Sequence, residues 1–452
     1  MIRSIDAESS TDRGVFAVSV VILACLTVAE IVRQGAFYRT DALVVLVVSL
    51  GLISMCVRGT DSRSRLMIVA FVALGAWWYL TAVIHGRAAS FFPLGASVVG
   101  FLAAFLVVRR IGVAHRQVAG ELMATIGAGA AAVGLAASAM RWYPLAMPSQ
   151  NLWRLATTLT YSDAAGLLLG VSLLVAVGLN LRKPLVRLDV SLCAAGVIAT
   201  QSRGAVLALL VGGLLVPFGT LRKAPWPLLA GLAAGLTLVG TSSGLSRQPI
   251  AGVAVAALVV VGAVVRPSAR LHLRTPPRAL ALAGAVIAVG AVVAVALHTP
   301  VQRRVGLAST SDRVSEWHAA FDQWRSSFWV GVGPDKVLHL KSPPGSYAYF
   351  AHDEFLQIAA GAGIVGVLLL LLALGAIAMT VRRTDTLSSC AAGAVVAFAA
   401  AALLDFDWHL AALGLVGGWA TALACPPEGS RVPTSRGAPA RVRRFLTRAP
   451  QG

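Results

Sequence analysis

The sequence predicts an all-α fold, a polytopic transmembrane helical bundle of about 12 to 14 spans, on three observations. Of the 452 residues, 57% are hydrophobic and 13% are charged, about half the charged fraction of an ordinary soluble domain. The mean hydropathy of +0.79 is distributed along the chain, because apolar runs recur from Val15 to Cys425. A single long interruption, residues 298–361, breaks that succession. Together these features exclude a water-soluble globular enzyme and a soluble domain hung on one anchor.

Charge and proline clusters cut the chain into fourteen candidate spans, approximately 15–32, 42–57, 66–84, 92–108, 121–140, 164–181, 188–201, 204–219, 228–241, 250–265, 280–297, 362–381, 388–404 and 409–424. Several are shorter than the roughly 20 residues of a simple helical span. The first run follows a mixed, slightly acidic N-terminus without an evident small-residue cleavage site, and reads as a retained signal anchor. All 20 prolines fall in loops or within a few residues of a proposed helix end, where a missing N–H is tolerated.

A net charge of +19 and a pI near 11.1 would point to nucleic acid if the basic groups formed one soluble face. They sit instead in short clusters between apolar runs. With a cytoplasmic N-terminus, the inside segments 58–65, 109–120, 182–187, 220–227, 266–279, 382–387 and the tail carry, with that terminus, 25 of the 38 Lys and Arg. This is the bias of the positive-inside rule, and it leaves both termini cytoplasmic and no role for nucleic acid. The expected organisation is N-terminal spans over 1–153, central spans over 154–297, an extracytoplasmic loop with short amphipathic helices over 298–361, C-terminal spans over 362–424 and a basic cytoplasmic tail over 425–452. The five cysteines show neither CxxC nor Cys/His ligand spacing, so no metal site or disulfide framework is expected.

Within the proposed spans the only Asp, Glu, Lys or Arg are Glu30, Glu121 and Asp189, all near span ends. Ion-coupled transport needs ionisable groups near the midplane, so that class is disfavoured. The outward segments hold the chemistry. In the long loop, Ser311 can cap a helix in which Val314, Trp317, Phe321 and Trp324 form one apolar stripe, fit for the membrane surface or for the bundle. Arg313 stands in its first turn, against the local dipole preference for acids. A ligand, or pairing with Glu316, accounts for it. Phe328–Pro334 then supplies a glycine turn.

His352 precedes the twelfth span, where a helix N-terminus disfavours the imidazolium and leaves a ring able to accept a proton. Asp353 suits the same helix start. Arg203 stands between two spans of about 30 residues together; a helix rising roughly 1.5 Å per residue from position 188 reaches about 23 Å there, short of a hydrocarbon core of about 30 Å. Its guanidinium therefore lies in a depression below the outer surface and calls for an anionic partner or a wet cavity. Arg154 opens a hydroxyl-rich approach containing Tyr161 and Asp163. The turn Asp405-Phe406-Asp407 offers an ion-pair partner for one of the arginines, in preference to a DxD metal site.

In this order the segments resemble the O-antigen ligase and O-antigen polymerase superfamily of multispan glycosyltransferases. The matching pieces are Arg154 to Asp163, Ser202-Arg203-Gly204, Arg313-Val314-Ser315-Glu316-Trp317 with Gly331-Val332-Gly333-Pro334, and His352-Asp353-Glu354-Phe355-Leu356-Gln357 followed by Gly363-Ile364-Val365-Gly366. Asp163 and Asp353 stand where the family more often has Asn, Phe328 replaces a usual Pro, and Gly361 replaces a common Glu. The resemblance implies a bacterial cytoplasmic-membrane enzyme that moves a glycan from a polyprenyl-diphosphate-linked donor to a glycan, lipid or protein acceptor hydroxyl outside the cytoplasm, without metal or nucleotide cofactor. It implies that Arg203 and Arg313 clamp the diphosphate, with Arg154 in the same anionic pocket, and that His352 is the general base. Asp353, Tyr161 and Asp407 would support them. A transporter or flippase for a lipid-linked or anionic solute, and a non-catalytic scaffold, are the other classes that such arginines fit.

Overall fold

The computed structural model describes residues 10–57, 60–112, 115–149, 151–244, 246–265, 311–340 and 346–426. The expected span 280–297 and the basic tail from Arg431 lie outside the described residues. Among the described residues fifteen α-helices account for nearly all regular structure: α1 Ser10–Val32, α2 Arg39–Cys56, α3 Ser62–Ile84, α4 Phe92–Arg109, α5 Arg116–Met140, α6 Ser162–Val177, α7 Pro184–Thr200, α8 Arg203–Gly213, α9 Phe218–Leu221, α10 Pro225–Gly240, α11 Pro249–Val264, α12 Ser311–Ser326, α13 Glu354–Thr380, α14 Thr386–Ala401 and α15 Ala411–Ala424. The fold is an all-α polytopic bundle. Five segments, Arg39–Cys56, Ser62–Ile84, Ala88–Arg109, Arg116–Met140 and Glu354–Thr380, are long and apolar enough to cross a membrane, and seven further apolar helices are shorter.

The pattern of burial is that of a protein in lipid. The outward faces of α2 and α3 carry Val44, Val47, Leu50, Val69 and Val72, which water would penalise and hydrocarbon does not. The short α6 and α15 are buried nearly all round. In α15, Gly414 and Gly418 lie one turn apart and press on α4; a Cβ there would stand 2.3 Å from the Ser97 carbonyl and 2.1 Å from that of Phe101. Bare backbone at both points lets the two helices approach closely, a small-xxx-small contact of the kind lipid favours.

Basic residues fasten one end of the bundle. Arg116 of α5 bonds Asp385 at 2.8 Å and the carbonyls of Leu423 and of Cys425, the latter at 2.9 Å. Arg109 of α4 reaches Asp61 at 3.3 Å and the Pro426 carbonyl. Arg110 donates to the Cys56 carbonyl at 3.2 Å. The segments 58–65, 109–120, 382–387 and the start of the tail, which alternation assigns to one side, therefore meet at one end.

Three elements differ from the sequence expectation. The segment before α6 contains a hairpin, β1 Ala146–Ser149 paired antiparallel with β2 Leu152–Leu155, which brings Arg154 opposite Met147. A second, smaller pair, β3 Leu338–His339 and β4 Tyr347–Ala348, lies in the long loop. The expected span 362–381 also begins early, because α13 starts at Glu354 and breaks at Gly363, where φ is 67° and ψ is −169°. That conformation is open to glycine almost alone. The carbonyls freed by the break find partners elsewhere. Val332 N–H binds Ala360 O at 2.7 Å, Gly333 N–H binds Gly361 O at 3.1 Å, and Trp77 Nε1–H of α3 binds Ala362 O at 2.8 Å. The glycine turn thus plugs the kink, and α13 divides into a short leading segment and a membrane segment.

Candidate functional site

At the end opposite the arginine fastening, the N-termini of α6, α8, α13 and α15 converge with the C-termini of α7 and α14 and with α12. Asp163 in the first turn of α6 binds Arg154 at 2.7 Å, and Arg154 also donates from Nε to the Thr200 carbonyl at 2.8 Å. The hairpin thereby holds Arg154 against the end of α7. Arg313 of α12 reaches across to the α14–α15 turn, donating to Leu404 O at 2.6 Å and approaching Asp405 at 3.5 Å and Asp163 at 3.9 Å. Its side chain retains 31% exposure, so the guanidinium faces both protein and solvent.

Arg203 opens α8 after the Ser202 cap, which accepts from Ala205 N–H at 3.1 Å, and its side chain is exposed. The adjoining Gly204 lies against Leu404, the residue whose carbonyl Arg313 binds. Arg154 and Arg313 share Asp163, and the Ser202-Arg203-Gly204 turn adjoins their cluster, the hollow, at Leu404.

His352 takes a left-handed backbone, φ 47°, an uncommon geometry for a side chain with a Cβ and one that clusters at functional sites. Its Nδ1 lies 2.8 Å from Glu316 Oε2, and its ring stands edge-on to Phe406 at 5.2 Å. With the carboxylate accepting from Nδ1–H, the neutral ring presents Nε2 as its proton acceptor. Burial alone would lower its pKa, but the Glu316 hydrogen bond and the carboxylates of Asp405 and Glu316 outweigh that and raise it above 6.5. The two carboxylates thus act against the helix terminus, which on its own favours the neutral ring. Glu316 likewise faces His352 rather than serving as the partner considered for Arg313.

Asp405 links the hollow's two halves. Tyr161 O–H lies 2.8 and 2.7 Å from its two carboxylate oxygens, and the tyrosine ring stacks on Phe406 at 5.3 Å, which in turn stacks on Phe350 at 4.1 Å. Burial and the neighbouring Asp163 push Asp405 up to about 6, against the lowering pull of His352 and Arg313. The turn is held from behind by Glu354, which is fully buried and accepts the Trp408 N–H at 2.8 Å while facing His409 Nδ1 at 3.1 Å.

The structure brings Arg154, Tyr161, Arg313 and His352 to one place, with Arg203 on its border. Asp353 caps α13, accepting from Leu356 N–H at 2.9 Å, so its position is accounted for by the helix start. Asp407 is 2% exposed and sits in the wall. Asp405 is the expected arginine partner. Two participants, Glu316 as the histidine's partner and the Phe350–Phe406 stack, are not legible in the sequence, because the three-residue step from Arg313 to Glu316 suggests a pair on one helix face and the actual partners are remote along the chain. The aromatic stripe of α12 also divides. Glu316, Ala319 and Ala320 face the bundle, while Val314 and Phe321 are over 40% exposed, as befits a helix at the membrane surface. Among the described residues no group of three or more His, Cys, Asp or Glu is placed to hold a metal ion.

Residues 232–371 match the family model described as O-antigen ligase. No curated protein matches the chain. The matched stretch contains Arg313, Glu316 and His352, while Arg154, Arg203 and Asp405 join the same hollow from outside it. On this match, residues 232–371 are similar to an O-antigen ligase domain, carried within a multispan helical membrane protein.

Proposed function

We propose that this O-antigen ligase-like protein transfers a glycan from a polyprenyl-diphosphate-linked donor to an acceptor hydroxyl at the extracytoplasmic face of the bacterial cytoplasmic membrane. The observation that carries the reading is the juxtaposition of a partly exposed Arg313 with a His352–Glu316 pair in which Nδ1 lies 2.8 Å from Glu316 Oε2. Arg313 and Arg203 receive the donor diphosphate, and Arg154 adds positive potential behind them. His352 Nε2 takes the proton as the acceptor oxygen attacks the anomeric carbon, while Glu316 holds Nδ1–H and stabilises the imidazolium. The bond from the anomeric carbon to the phosphate oxygen breaks, and the electron pair leaves with the diphosphate, whose charge the guanidiniums neutralise. No metal is required for that neutralisation.

The Asp405 carboxylate beside Arg313 does not defeat anion binding. Asp405 is pushed up to about 6, so an arriving diphosphate needs only a small further rise to leave it protonated and Arg313 released. The test is single replacement of Arg203, Arg313 and His352 by Ala, followed by transfer from lipid-linked glycan to acceptor in reconstituted vesicles. The expected loss is about 10²- to 10⁴-fold for His352→Ala and on the order of 10²-fold or more for each arginine. Undiminished transfer by all three folded variants removes the proposed site.

A further inference from the structure

A cavity lies away from the hollow, between α3, α4, α13, α14 and α15, with a volume of about 490 Å³. Its walls are hydrocarbon, with Leu370, Leu374 and Ile377 of α13 across from Val395 and Phe398 of α14. Along α13 the lining from Leu370 to Val381 covers about 16 Å of axis at roughly 1.5 Å per residue. One extremity is closed by Trp408 stacked on Phe398 at 5.7 Å, on the side of the hollow. The other carries Arg382 and Arg383, on the side fastened by Arg109 and Arg116. Ala378 and Arg383 are exposed and Val381 and Val395 half-buried, so the cavity opens sideways toward lipid.

Charge decides what this cleft holds. None of the described residues lining it is acidic. Arg382 gives one N–H to the Val381 carbonyl at 2.9 Å and Arg383 one to the Leu215 carbonyl at 3.1 Å, out of five guanidinium donors each. A cleft with apolar walls and two cations at one mouth fits an amphiphile whose anionic head lies at that mouth. The lipid-linked donor needs its head at the other end, where Arg203 and Arg313 stand. We infer that the cleft is a binding site for an anionic diacyl phospholipid of the opposite leaflet, its phosphate between Arg382 and Arg383 and one acyl chain running along α13 and α14 toward Trp408. The bound chain packs against the turn whose Trp408 N–H is held by Glu354, and so buttresses the hollow from behind.

Native mass spectrometry of the full-length protein, titrated with phosphatidylglycerol or phosphatidylcholine, tests this without reference to transfer. A one-to-one phosphatidylglycerol adduct is expected, weakened about fivefold for each guanidinium removed and about thirtyfold in the double variant Arg382→Gln, Arg383→Gln. Ala378→Trp leaves both arginines in place, fills the cleft from an exposed position, and is expected to abolish the adduct. Equal binding of the two lipids, unchanged affinity in the double variant, or an intact adduct in Ala378→Trp overturns the inference. Competitive displacement of phosphatidylglycerol by a polyprenyl diphosphate does so too, giving the cleft to the donor's tail. If the double variant fails to fold, Ala378→Trp decides alone.

Discussion

At the scale of the residue, the centre of the site is an acid–base pair whose titration can be followed. Glu316 and Asp405 raise His352, and the ring must be neutral to accept a proton, so transfer is expected to rise with pH through a midpoint above 6.5. Glu316→Gln removes an acceptor and a negative charge. The acid limb then moves to lower pH while the maximal rate falls, and a pH–rate profile reports both. An acid limb that stays in place in Glu316→Gln separates the pair from the chemistry. Stability carries the same sign. His352 and Asp405 both have folded pKa values above their ordinary ones, Asp405 from 3.8 to about 6, so the folded chain binds these protons more tightly. Their contribution is present at low pH and lost as pH rises through the folded values. Thermal unfolding in detergent is expected at higher temperature at pH 6 than at pH 8, with the difference reduced in Asp405→Asn, His352→Gln.

At the scale of the element, the break in α13 is the feature on which the site depends most. A Cβ at Gly363 would lie 2.2 Å from the Trp329 carbonyl oxygen, and one at Gly331 would lie 2.4 Å from the Gly361 carbonyl carbon. Both residues have positive φ. Gly363→Ala therefore meets backbone strain of about 1–3 kcal/mol and a steric clash as well, and is expected to lower the detergent-phase unfolding temperature markedly. Gly51→Ala in α2 meets nothing within 4 Å and is expected to be neutral or to stabilise by about 0.5–1 kcal/mol. The kink also shows what sequence could not supply. Val332 and Ala360 are far apart along the chain, and a glycine pair suited to any turn carries no sign of the carbonyls it will meet. The hydrophobic run was legible from Ala362 onward because composition marks it. The leading turns from Glu354 were not, since Glu354 and Gln357 interrupt the apolar pattern while their side chains are buried, the first against the Trp408 turn and the second accepting the Ala351 N–H.

For the whole molecule, the bundle and thirteen of its helical segments were readable from apolar runs, prolines and basic clusters, since each is a local signal. The hairpin that carries Arg154 was not, because four-residue strands containing Pro148 give no periodic trace. The arginines and histidine were singled out individually; their meeting depends on Asp163 of α6 and Asp405 of the α14–α15 turn, which are far apart along the chain. Orientation is open to direct test. With Cys25, the exposed native cysteine, replaced by Ser, a cysteine at exposed Tyr349 should react with an impermeant maleimide on intact cells. One at exposed Arg182 should react only after permeabilisation. Reversed labelling would place the hollow on the cytoplasmic side. The plug in α13 has a further consequence, for solvent exchange. Val332 and Gly333 belong to a loop, yet their amides complete a helix that is not their own. In deuterated buffer they should keep their protons about as long as the helical amides around Ala360, and lose them together with that stretch when it opens.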